Sequence, residues 1–69
     1  MKIKFLKQVT ADFLDNRADE HGADKTFYHN QIVEIERMEE TVRGFVDLIW
    51  ANGDAAVGLN KQHIQIIEA

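Results

Sequence analysis

The stretch Gly44–Leu59, GFVDLIWANGDAAVGL, constrains this chain most, because it reads as one β-hairpin carrying its own turn. Asn52-Gly53 is the preferred dipeptide for a two-residue type I′ turn, whose central positions both need positive φ. With Ala51 opposite Asp54, the pairs running outward are Trp50–Ala55, Ile49–Ala56, Leu48–Val57, Asp47–Gly58 and Val46–Leu59. Alternate pairs collect Val46, Leu48, Trp50, Ala55, Val57 and Leu59 on one face, as a sheet covering a core requires. A slip of one residue scatters that set.

With 69 residues the chain has room for one domain, residues 1–69, and one core. A domain of this size buries only about 60% of its unfolded surface, so its stability margin is thin. There is no cysteine, which removes disulfides and thiolate metal sites. Stability has to come from packing, with self-association as a further source, so a homo-oligomer belongs among the expectations. No apolar run approaches the roughly 18 residues of a membrane span. The opening MKIKFLKQV alternates basic and apolar residues instead of placing a basic group before an apolar block, a strand pattern and not a secretion signal. A cytoplasmic protein is expected, with no membrane partner.

The formal net charge is −4, which argues against general nucleic-acid binding, where phosphates demand a surplus of Lys and Arg. Lys2, Lys4 and Lys7 make the first strand basic. Asp12, Asp15, Asp19, Glu20 and Asp24 make the next segment acidic, and Glu34, Glu36, Glu39 and Glu40 form a second acidic group. Solvated faces that keep a small protein soluble explain this distribution best. The sharper alternative is an acidic surface that meets a basic partner or mimics nucleic acid.

Along the chain, Ile3, Phe5, Val9, Ala11 and Phe13 alternate with polar residues, so Lys2–Phe13 reads as one long half-buried strand with Leu6 and Lys7 as exceptions. A rival is a short helix capped by Thr10. Asp15–Lys25 is a long polar loop, of the kind that often carries function. A turn near His29-Asn30-Gln31 leads into a strand with Val33 and Ile35 facing inward. Ile32, Ile35, Met38 and Val42 also fit one side of a helix over 31–43, which would make the protein α+β. Glu39–Arg43 reads as a connection closed by Gly44. Asn60–His63 reads as one helical turn, and Ile64–Ile67 as a short last strand.

That order resembles the small five-stranded Src-homology-3-like barrel, an all-β fold with one helical turn before its last strand. The match rests on Phe45-Val46 where strand three begins, Asn52-Gly53 at the distal hairpin, Asn60–His63 at the helical turn, Ile64–Ile67 at the closing strand, and Asp15–Lys25 as the first large loop. Members that grip proline-rich peptides use clustered aromatics and a proline before the helical turn. This chain has no proline; Phe45-Val46 replaces the expected tryptophan, and His63 aligns with the expected tyrosine. The resemblance therefore implies the fold and not the ligand. In size and style the chain also resembles small stand-alone proteins of bacteriophages and prophages.

Site chemistry is sparse. His21, His29 and His63, with Asp19, Glu20 or Asp24, supply metal-ligating atoms without any ligand spacing, so surface histidines explain them better. Asp19-Glu20-His21 has the letters of an acid–base site but lies in a loop without a supporting shell. Asn52-Gly53-Asp54 lacks the alternating oxygens of a calcium loop. Thr10, Thr26, Thr41 and Tyr28 are the only hydroxyls, none in a glycine-flanked elbow. No enzyme, cofactor or metal is expected. The expected function is a non-catalytic protein-interaction module, a phage-encoded accessory or host-modulating factor. Its partner surface is the outer face of the hairpin, Phe45 and Ile49, rimmed by Tyr28 and His63. One alternative is an acidic inhibitor mimicking nucleic acid through the loop carboxylates Asp15, Asp19, Glu20 and Asp24. Another is a small nucleic-acid-binding barrel using Lys2, Lys4 and Lys7.

Overall fold

The period-two pattern at the start of the chain does not make one strand. In the computed structural model, which describes residues 1–15 and 23–69, it breaks at Leu6–Gln8 into β1 (Lys2–Phe5) and β2 (Val9–Leu14). The exceptions to the alternation, Leu6 and Lys7, mark the corner. The Leu6 N–H donates to the His63 carbonyl at 2.8 Å, and Phe5 exchanges backbone hydrogen bonds with Asn30 and Gln31. The chain thus leaves one sheet and enters another, the bend by which strands switch between packed sheets.

The remaining described elements are β3 (Ala23–Phe27), β4 (Ile32–Glu34), β5 (Arg37–Val42), β6 (Phe45–Ile49), β7 (Ala55–Asn60), a one-turn 3-10 helix (Lys61–His63) and β8 (Ile64–Glu68). They form two antiparallel sheets, ordered β4-β1-β8 and β3-β2-β7-β6-β5. The all-β class agrees with expectation, but two open sheets of eight short strands stand where one closed five-stranded barrel was expected. The α+β alternative is overturned, because 31–43 contains β4 and β5 and no helix. Glu39–Arg43, read as a connection, falls largely within β5. A second corner separates these two strands. The Ile35 N–H bonds to the Met1 carbonyl and the Glu36 N–H to that of Ile49, both at 2.8 Å, so the chain changes pairing partner between neighbouring residues. No described helix is long and apolar enough to cross a membrane.

The central hairpin forms, with its register corrected. Its loop has three residues, Ala51-Asn52-Gly53, closed by Trp50 N–H to Asp54 carbonyl (2.8 Å) and Gly53 N–H to Trp50 carbonyl (3.0 Å). Among these loop residues only Gly53 has positive φ, at +95°, so the turn is not type I′. The pairs next to the turn are Ile49–Ala55 and Leu48–Ala56, one residue out of the expected register. A bulge between Val46 and Leu48 then restores Val46–Leu59. Asp47 faces two residues, Val57 and Gly58; Gly58 adopts φ +73°, and its N–H donates to Asp47 Oδ1 at 3.0 Å. Ala56, not Ala55 or Val57, is therefore the residue that enters the core.

The core lies between the sheets: Ile3 and Phe5 of β1, Ala11 of β2, Phe27 of β3, Ile35, Val46 and Leu48 of β6, Ala56 and Leu59 of β7, and Ile64 of β8. Burying an aliphatic or aromatic side chain of this size contributes about 1.5–3 kcal/mol. Phe5 and Phe27 stack at 4.5 Å between centroids, and Phe27 lies 6.2 Å from half-buried Trp50, which meets the edge of Phe13 at 5.5 Å. Lys25 Nζ sits 4.5 Å from the Phe13 ring centroid and covers the end of this column. Trp50 packs against the core, as expected.

Candidate functional site

The candidate surface is the face of the larger sheet that turns away from the core. On β6, Val46 and Leu48 point inward, so Phe45, Asp47 and Ile49 share the outer face. The registers define their neighbours. Phe45 lies opposite Val42 on one side and Asn60 on the other, and Ile49 lies opposite Arg37 and Ala55. Ala55 in turn pairs with Leu14 of β2. Leu14, Ala55 and Ile49 thus run as an apolar row across three strands, while Phe45 and Val42 form a second apolar pair toward the β5–β6 turn. Phe45 is 42% exposed and Val42 65% exposed, so this end of the face is open.

Carboxylates cross the same face between the two apolar groups. Asp12 stands directly opposite Asp24, and Glu39 directly opposite Asp47. Like charges directly opposite in a sheet are destabilising. Arg37 offsets one of them, its Nε donating to Glu39 Oε1 at 3.0 Å, in an exposed pair of small energetic weight. Beside Asp12 and Asp24, Thr10 and Thr26 share a hydroxyl hydrogen bond of 3.0 Å. The outer face is therefore acidic with apolar margins. The sequence expectation named Phe45 and Ile49 but missed Leu14, Val42, Asp12, Asp47 and Glu39. Only pairing across β2, β7, β6 and β5 brings these residues together.

Tyr28 and His63 are placed by a different set of bonds. Tyr28 opens the turn into β4, where its N–H donates to Gln31 Oε1 at 2.8 Å and its carbonyl accepts from the Gln31 N–H at 2.9 Å. His63 closes the 3-10 helix, with its carbonyl bound to Leu6. Both flank the Phe5–Leu6 corner, whereas Phe45 and Ile49 belong to the strand registers of the larger sheet. Of the loop carboxylates, Asp15 is exposed just beyond β2 and Asp24 belongs to β3. Asp19 and Glu20 lie outside the described residues, as does His21. Among the described residues, no group of three His, Asp or Glu side chains converges as a metal site.

Away from that face, a concave feature opens between the sheets. A cavity of about 330 Å³ is lined by Met38, Glu40, Val46, Lys61, Ile64 and Ile66. Glu40 and Lys61 meet at 3.4 Å, and Glu40 Oε2 also accepts the Gly44 N–H at 3.1 Å. The Gly44 N–H, and after it Lys61, hold the Glu40 carboxyl below its usual range. Comparison with protein-family models, with curated proteins and with solved structures found no match for this chain.

Proposed function

We propose that this chain is a non-catalytic protein-interaction module of the Src-homology-3-like kind, a cytoplasmic phage- or prophage-encoded accessory factor that offers the outer face of β6 to a host or phage protein. The observation that carries the reading is Phe45, a large aromatic 42% exposed on a regular strand beside exposed Val42. Aromatic side chains within a polar surround are the usual anchors of protein interfaces. The Src-homology-3-like framework is supported by the chain order of hairpin, one-turn 3-10 helix and closing strand, and by the β2–β3 arm. The phage assignment rests on the size and style of the sequence. Affinity capture from the native host with wild-type protein, Phe45→Arg and Ile49→Glu tests the surface. Both variants should lose the partner while keeping the wild-type circular dichroism spectrum; retention of the partner by both refutes this assignment.

The opposed carboxylates Asp12–Asp24 and Glu39–Asp47 favour a second reading, an acidic inhibitor occupying the nucleic-acid site of an enzyme. Its affinity would fall steeply with salt. Binding indifferent to salt excludes it.

A further inference from the structure

Asn52-Gly53 builds the tip of the central hairpin, and it is also the chain's most reactive asparagine linkage. An asparagine amide is attacked by the backbone nitrogen of the residue after it, and a side chain on that residue shields the nitrogen. Asn16, Asn30 and Asn60 precede Arg17, Gln31 and Lys61; Asn52 alone precedes glycine, which has no Cβ. Both residues of the pair are exposed.

The folded loop engages the groups that would react. The Gly53 N–H, whose nitrogen is the nucleophile, donates to the Trp50 carbonyl at 3.0 Å. Asn52 Nδ2, the leaving nitrogen, donates to Asp54 Oδ2 at 3.1 Å, and Asn52 Oδ1 accepts the Asp54 N–H at 3.0 Å. We propose that Asn52 is a deamidation site gated by this hairpin loop: the closed loop restrains the reaction and the opened chain undergoes it. In the opened chain the Gly53 nitrogen loses its proton and bonds to Asn52 Cγ. The Cγ–Nδ2 bond breaks, and the amide leaves as ammonia with that proton. Water then opens the cyclic imide at either carbonyl, giving aspartate or isoaspartate at position 52.

The product closes the loop less well. Aspartate places an acceptor where Nδ2 donated, and sets a second carboxylate against that of Asp54. Isoaspartate adds a backbone atom to a loop closed by the Trp50 N–H on the Asp54 carbonyl at 2.8 Å. Trp50 in turn meets Phe13 and Phe27, so slack at the tip reaches the aromatic column of the core. Modified chains therefore reopen more often, and the modification records irreversibly which molecules have opened. The site is separate from the outer face of β6, and either assignment can fail without the other.

Intact mass and peptide mapping of the full chain, incubated at mildly alkaline pH with and without urea, test the proposal. Conversion at Asn52 should run roughly tenfold or more slower in the folded chain than in urea. Labelling by an isoaspartyl methyltransferase should locate isoaspartate in the urea-treated chain. Asp54→Ala, folded by circular dichroism, should speed conversion in the folded chain roughly two- to tenfold, the worth of one hydrogen bond, while its rate in urea matches the wild type. Asn52→Asp should lower the urea midpoint of unfolding. A folded chain that converts at the rate seen in urea overturns the proposal. So does Asp54→Ala leaving the folded rate unchanged, Asn52→Asp keeping the wild-type midpoint, or Asn16, Asn30 or Asn60 converting ahead of Asn52 in urea.

Discussion

Val46 and Leu48 on one face of β6, and Phe45 and Ile49 on the other, are drawn from the same five residues and are comparably apolar. Val46 and Leu48 are 1% and 0% exposed, and Phe45 is 42% exposed. Hydrophobicity does not separate them; the presence of an opposing layer does. The sheet β4-β1-β8 covers one side of the larger sheet, and the other side meets no described strand. The exposed face also carries Asp47, whose carboxylate is engaged by the Gly58 N–H, and it faces Glu39. The two faces teach that an alternating strand reports which residues travel together, while the fold decides which set is covered.

The comparison breaks most readily at Leu48. Leu48→Ala should destabilise the domain by about 2–5 kcal/mol in urea unfolding, because it leaves a cavity among Val46, Ala56 and their neighbours. Phe45→Ala should change stability by no more than about 0.5 kcal/mol, as expected at a surface position. Equal losses at the two positions would show that the outer face is covered after all.

A smaller effect is expected at the bulge that reconciles the two halves of the hairpin. A side chain at Gly58 would meet nothing within 4 Å, so a substitution there acts through the backbone alone. With φ at +73°, Gly58→Ala should cost about 1–2 kcal/mol, and Gly58→Asn less, since asparagine tolerates the left-handed region. An unchanged unfolding midpoint for Gly58→Ala would place the register shift elsewhere.

The smallest effect belongs to Glu40. Its folded-state pKa is lowered, chiefly by the Gly44 N–H and then by Lys61. Its contribution to stability is therefore present above the usual glutamate range and lost as the pH falls through the lowered folded-state value. Acid titration of stability for the wild type and Glu40→Gln should show the curves converging as the pH drops. Curves parallel down to the acid limit would remove Glu40 from the β5–β6 turn.

Much of this was legible in the residues. The strand class, the hairpin around Asn52-Gly53, the turn at His29-Asn30 and the helical turn after Asn60 all follow from local preference. Asn30 takes φ +69°, and the Asn60 side chain accepts from the Gln62 N–H at 2.9 Å, capping that turn as its chemistry suggests. The helix alternative over 31–43 failed because Ile32, Val33 and Ile35 are β-branched and Met38 finds a partner in Leu48 across a ladder. Phe45 and Ile49 could be nominated from alternation, but their acidic neighbours come from strands far away in sequence.

What the sequence determined by itself is the set of side chains that share a face within each short segment, because backbone pleating and turn preference act over a few residues. What the tertiary structure alone decided is where segments end and which partner they take. Leu6–Gln8 and Ile35–Glu36 became corners because the chain must serve two sheets there, and Ala56 displaced Ala55 and Val57 from the core because a three-residue loop and the Gly58 bulge together reset the register. Those outcomes depend on contacts between distant strands, whose energies no local window contains.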